Sequence, residues 1–157
     1  MTTKYVARLN GTIVGKRTTK DRTYTHAIVV QWSEENARKR AYEYRATEQD
    51  RRHFDYFTQI VEQGIEHEHV RVDKWRKEPD LKVLEGAKAN IEGGLDGFVA
   101  RIKARMIEGF ERSLAKGGFD PCVAGWAGRL DLAQKAVASH TGPDCKLVAI
   151  VPAEVAA

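Results

Sequence analysis

The sequence predicts an α+β fold: an antiparallel sheet of about four strands with helices packed on one face. Three observations carry that expectation. Two β-rich runs flank Asn10-Gly11, a third β-branched run follows a short turn, and residues 80–116 repeat large apolar side chains at helical spacing. At 157 residues the chain is read as one domain, 1–157, large enough to bury roughly 70% of its unfolded surface.

Lys4–Leu9 and Thr12–Arg17 are the arms of a hairpin, because Asn-Gly supplies the two positive φ angles of a type I′ turn. A two-residue turn then sets Leu9 opposite Thr12, Ala7 opposite Val14 and Tyr5 opposite Lys16. One face would carry Tyr5, Ala7, Leu9, Thr12, Val14 and Lys16. The other would carry Lys4, Val6, Arg8, Ile13, Gly15 and Arg17, and would be the more basic. Thr19-Lys20-Asp21-Arg22 forms the next turn, and Tyr24–Gln31 completes a three-strand meander with one face open to solvent.

Ser33 is placed as an N-cap, with Glu34 and Glu35 in the first turn where the helix dipole favours acids. The favoured reading is one long, bent helix ending at Gly64. Thr47-Glu48-Gln49-Asp50 offers a fresh cap, and hence two helices, as the alternative. Ile65–Glu78 is a connector, with Trp75 anchoring it to the core. Pro79-Asp80 starts the next helix, and Leu84, Ile91, Leu95, Phe98, Ile102 and Met106 form a stripe that Gly117-Gly118 ends. Gly86, Asn90, Gly93, Gly97, Ala100 and Ala104 recur on the other side. Each interior glycine costs about 1 kcal/mol relative to alanine. The sheet on the large stripe and a second helix on the small one would offset that cost. Gly86, Gly93, Gly97, Ala100 and Ala104 are therefore read as a surface for helix packing or self-association, with a homodimer as one outcome. The competing reading makes Gly93-Gly94 a break between two helices. Arg129–Ser139 is a short amphipathic helix, and Lys146–Val151 a last buried strand of the same sheet. The resulting order is β-β-β-α-α-α-β.

Charge is distributed unevenly. The chain carries 26 basic and 22 acidic side chains, net +4. Residues 1–32 hold six of the bases (Lys4, Arg8, Lys16, Arg17, Lys20 and Arg22) against Asp21 alone, a net of +5, so the rest of the chain is at −1. A localised positive field attracts anionic partners. Arginine and lysine would neutralise phosphates, and Tyr5 and Tyr24 would stack on unpaired bases. No apolar run approaches the roughly 18 residues of a membrane span, and no signal-peptide core follows Met1. The expectation is a cytoplasmic protein with no membrane partner.

No catalytic, nucleotide or metal motif is complete. Cys122 and Cys145 fit no CxxC pattern and are expected as free thiols. His67 and His69 would point the same way on a strand, but a metal needs further ligands that the sequence does not nominate. Ser33, Ser113 and Ser139 lie in no nucleophile elbow. No cofactor, metal or catalytic residue is expected.

The function read from the sequence is binding without catalysis. Lys4, Tyr5, Arg8, Lys16, Arg17, Lys20, Arg22 and Tyr24 would dock on nucleic acid, on a nucleic-acid-handling complex, or on another acidic protein surface. The alternative is a protein–protein inhibitor or adaptor, anti-CRISPR-like by analogy of size and composition with the small proteins phages and plasmids use against host nucleoprotein machines. An enzyme of unrecognised class stands third.

Overall fold

Asn10 (φ 49°) and Gly11 (φ 82°) both take up left-handed backbone, as the type I′ turn requires. They join β1 (Thr3–Leu9) to β2 (Thr12–Thr19). The computed structural model describes all 157 residues. Leu9 lies opposite Thr12 as expected, and Arg8 opposite Ile13. The ladder then slips, with Ala7 opposite Gly15, Val6 opposite Lys16 and Tyr5 opposite Arg17.

Val14 is the extra residue of a β-bulge, and the consequence is a change of face. Val14 packs inward on Ala7, Ala27, Val29 and Val151. Gly15 faces the same side, for a Cβ there would lie 2.4 Å from Val123 Cγ2. Two consecutive inward residues turn Lys16 outward and Arg17 inward, the reverse of the unbulged register.

The sheet has five strands, one more than the sequence suggested. β3 (His26–Trp32), β4 (Cys122–Ala127) and β5 (Cys145–Val155) complete the order β2-β1-β5-β3-β4, all antiparallel. The expected three-strand meander therefore does not form: the last strand inserts between β1 and β3. The unexpected strand is β4, whose Ala and Gly content carries little β-propensity. The sheet curls as a half-barrel until its edge strands β2 and β4 approach at Gly15 and Val123. Its concave side holds Ala7, Ala27, Val29 and Val151, with Leu9, Val14, Val123, Trp126 and Ala149 against them. The convex side is covered over β3 to β5 by α5 (Leu130–His140), where Ala133, Ala136 and Val137 meet Ile28, Val30 and Cys145.

Pro152 ends the pairing of β1 with β5. Ala153 N–H donates towards β3, to Thr25 O, and Ala156 N–H donates towards β1, to Lys4 O. By alternation position 152 faces β1, and proline has no N–H to give. The β1–β5 ladder accordingly covers only Ala153–Val155. Beyond it β5 pairs with β3 alone.

These elements belong to one of two compact units, Met1–Arg38 with Phe110–Ala157; the other is Lys39–Gly109. Ser33 Oγ caps α1 (Glu34–Tyr42) by accepting from Asn36 N at 3.1 Å, and Glu34 pairs with Arg38 at 2.8 Å. The long helix to Gly64 does not form. α1 stops at Tyr42, and α2 (Glu48–Gln63) begins under a complete capping box: Thr47 Oγ1 accepts from Asp50 N, and Asp50 Oδ2 accepts from Thr47 N. Tyr44 Oη donates to the same carboxylate oxygen at 2.5 Å. Gly64 (φ 58°) ends α2 as expected.

The 80–116 helix is likewise two helices, α3 (Leu81–Ile91) and α4 (Gly94–Ala115). Gly93 (φ 75°) and Gly94 (φ 69°) make the corner. Asp80 caps α3 through Val83 N. Ile60, Val70 and Ala87 form the core of this unit with Phe57, Val83 and Leu84. Phe98 packs against Phe54 and Phe57 at 5.9 and 6.0 Å. Leu84 and Phe98 from the large stripe thus pack within their own unit, in the cluster that includes α2.

Two outcomes follow from this packing. Gly15→Ala should cost about 1–3 kcal/mol by urea denaturation, because the methyl overpacks a closed seam. Adding Val123→Ala should recover only part of it, since Val123 Cβ is itself 2.7 Å from the added atom. The Thr47 N–H bond, then the Tyr44 hydroxyl, holds the buried Asp50 carboxyl below its ordinary range. That contribution is present above the unfolded carboxylate pKa of about 4 and is lost as pH falls through the depressed folded value. Asp50→Asn should therefore lower the melting temperature at pH 7 and converge on the unsubstituted protein once pH has fallen through the depressed folded value.

Candidate functional site

The outer face of the β1–β2 hairpin gathers Lys4, Arg8 and Lys16. Cross-strand pairing sets Lys4 beside Thr18, Val6 beside Lys16 and Arg8 beside Ile13. A cleft of about 600 Å³ runs over this face, lined from the hairpin by Lys4, Val6, Arg8, Ile13, Lys16 and Thr18, reached by Tyr5, and closed at one side by residues 154–157. Val6 gives it an apolar floor. Arg8 Nε lies 3.4 Å from Glu154 Oε2, and Arg8 Nη1 donates to Gly11 O at the turn. Both members of that ion pair are about half exposed, so its main effect is to orient the guanidinium. Three cations and one carboxylate leave the face positive.

The other predicted members of the site are placed differently. Arg17 reaches the rim of the cleft, but its guanidinium sits over the Tyr24 ring, 5.0 Å from the centroid. Tyr5 and Tyr24 are only 4% and 7% exposed. They meet edge to face at 5.4 Å, and Tyr24 also packs on Trp126 at 6.0 Å. Neither ring has a face to offer a nucleobase. Lys20 and Arg22 are exposed in the β2–β3 connection. Glu154, the acid that moderates the face, is brought in by β5 from the far end of the chain, a juxtaposition no local pattern announces.

The small-residue stripe splits by role. A Cβ on Gly97 would lie 2.6 Å from Glu92 O, and one on Gly93 would lie 3.4 Å from Gly97 Cα. Both serve the α3–α4 corner. Gly86 has no neighbour within 4 Å of that position, so no backbone approaches it. Ala104 borders an open cleft of about 420 Å³ with Ala89, Asn90, Arg101 and Arg105. Ala100, on the same helix, is exposed. Arg101, from α4, caps α3: its guanidinium donates to Asn90 O at 2.6 Å and Glu92 O at 2.9 Å, satisfying carbonyls that end the helix.

His67 and His69 do not lie on a strand. Their rings stack at 5.4 Å, and Tyr56 meets both edge-on, with its hydroxyl bonded to His69 Nδ1. No group of three His, Cys, Asp or Glu side chains is positioned around a common point. Cys122 and Cys145 are free thiols on opposite flanks of β3, facing Val30 and Trp32. Two inter-strand spacings, about 9.5 Å, exceed the reach of a disulfide. Burial pushes the Cys145 thiol up. No helix is long and apolar enough to cross a membrane.

Compared with known proteins, the chain matches no family model, no curated sequence and no solved structure.

The split of the two neighbouring cations is measurable as stability. Arg17→Ala should cost about 0.5–1 kcal/mol in urea denaturation through the lost contact with Tyr24. Lys16→Ala should stay within about 0.5 kcal/mol, as for a surface change.

Proposed function

We propose that this is a non-enzymatic binding protein whose outer hairpin face contacts the phosphate backbone of nucleic acid. One observation supports this reading above the others: the Val14 bulge assembles Lys4, Arg8 and Lys16 on one solvent-facing surface, while α5 lies over β3 to β5. Phosphate contacts of this kind give affinity and register without reading bases. The burial of Tyr5 and Tyr24 agrees with an electrostatic contact that does not stack. Lys20 and Arg22 add charge in the following connection.

A different observation favours a protein partner as the second reading. β5 has no strand partner on its β1 side between Lys146 and Pro152, the stretch between the Gly142–Cys145 bridge and the β1 ladder. Leu147 and Val148 stand exposed along that stretch, and a cleft of about 420 Å³ joins them to Trp32 at the end of β3 and to Phe119. An unpaired edge with exposed apolar side chains suits an extended segment of another protein, added as a strand. An inhibitor or adaptor would use it.

Salt dependence separates the two. Fluorescence anisotropy with a labelled 20-base-pair duplex should show micromolar binding at 50 mM salt. Neutralising three phosphates implies a loss of about 40-fold on going to 200 mM. Lys16→Ala should weaken binding and flatten the log–log salt slope by about 1. Absence of binding at 50 mM, or binding indifferent to joint reversal of Lys4, Arg8 and Lys16 to Glu, would remove the nucleic-acid reading. Capture of a protein partner that survives 200 mM salt and is lost in Leu147→Asp would put the second reading in its place.

A further inference from the structure

The connector between α2 and α3 was expected to bury Trp75, and it does the reverse. Trp75 is 82% exposed, the most exposed aromatic side chain in the protein. The segment presenting it is nonetheless built. Asp80 N–H donates to Val70 O at 2.7 Å and closes the base of the loop, and Val70 is fully buried in the core of its unit. Asp73 Oδ1 accepts from the backbone N–H of both Trp75 (2.8 Å) and Arg76 (3.1 Å). Arg76 Nη1 crosses the inside of the loop to His69 O at 2.8 Å. A closed loop, hydrogen-bonded within itself, is the form of a compact Ω-type loop, and such loops frequently carry function.

The charges sort into two sets. Asp73 and Arg76 are used in the frame of the loop, with 3.9 Å between their charged atoms. Arg71, Lys74 and Lys77 remain on its exposed surface, against Glu78 alone. Lys74 Nζ lies over the Trp75 ring, 4.7 Å from its centre, so a cation sits on one π-face of a side chain that is otherwise in solvent. The only exposed aliphatic side chain in the loop is Val72. One tryptophan with a single valine offers little to the hydrocarbon of a bilayer, which favours an anionic polymer carrying flat rings of its own.

We propose that residues 71–79 form a contact for single-stranded nucleic acid, in which Trp75 stacks on an unpaired base while Lys74 and Lys77 neutralise the flanking phosphates. The choice of partner class rests on the nucleic-acid reading of the hairpin. The stacking function is new to this loop, and it supplies the aromatic platform that the buried tyrosines of the sheet cannot.

The test uses the full chain and two probes, a 20-nucleotide oligo(dT) and a 20-base-pair duplex, followed by intrinsic tryptophan fluorescence and anisotropy. Oligo(dT) should quench the unsubstituted protein, and Trp75→Ala should abolish most of that quench and weaken oligo(dT) binding about tenfold. Trp75→Phe should retain part of the affinity, and duplex affinity should change less than twofold in both variants. Circular dichroism of Trp75→Ala, expected unchanged for so exposed a residue, excludes misfolding as the cause. Equal oligo(dT) binding by Trp75→Ala and the unsubstituted protein would overturn the loop proposal, and intact duplex binding would then leave the hairpin reading standing. Loss of both probes in the unsubstituted protein would overturn both. Quenching by vesicles containing anionic lipid, without quenching by oligo(dT), would overturn the proposal in favour of a membrane surface.

Discussion

The contact of Gly15 with Val123 is the constraint on which the sheet depends. An apolar face of an antiparallel sheet must either be covered by other elements, as α5 covers the convex side, or be closed off by the sheet curling on itself. Here it curls, and the seam closes only because β2 presents a residue without a Cβ to the valine of β4. The same step requires two consecutive inward residues, Val14 and Gly15, and hence the bulge that resets the hairpin. Pro152 acts in the same direction by withholding the N–H that would bind β1 further along β5. Bulges and interrupted ladders increase local twist and bending. The small side chains inside, Ala7 and Ala27, leave room for a tightly curved wall.

Charge placement is a consequence of that geometry. A register slip of one residue transfers every later side chain of the strand to the opposite face. With the bulge, Lys16 joins Lys4 and Arg8, and Arg17 is carried to Tyr24, where the ring holds it. The positive surface is therefore a by-product of closing the sheet, made from three cations separated along two strands. Its apolar floor, Val6, and its single counter-charge, Glu154, come from the same pairing of β1 with its two neighbours.

Much of this was legible in the residues, and the failures have identifiable causes. Asn10-Gly11 specified the hairpin because few residue pairs tolerate two positive φ angles. Gly64 and Asp80 specified helix ends for equally local reasons. The bulge was signalled by a glycine inside a strand, a mark of close backbone approach, but what approaches it is β4, distant in sequence. β4 itself has weak propensity, and its strand character comes from filling the space beside β3. The two long helices were each interrupted where local chemistry competes with continuation: Thr47 and Asp50 exchange side-chain bonds with each other's backbone, and Gly93-Gly94 adopts angles no helix allows. Tyr5 and Tyr24 would be surface aromatics on an open sheet, and its curl buries them against each other and Trp126.

In the unit formed by residues 39–109, the corner and loop chemistry sets the exposed features in the same local way. Arg101 returns to cap the helix that precedes it, and Asp73 and Arg76 hold a closed loop that leaves Trp75 in solvent. For the protein as a whole, the bulged register of the hairpin is the claim from which the site follows. A nuclear Overhauser spectrum of the isotopically labelled protein tests it most directly. The account predicts cross-strand proximity of Tyr5 with Arg17 and of Val6 with Lys16, together with contacts between the Gly15 α-protons and the Val123 methyls. Proximity of Tyr5 with Lys16 and of Ala7 with Val14, with no contact from Gly15 to Val123, would contradict it.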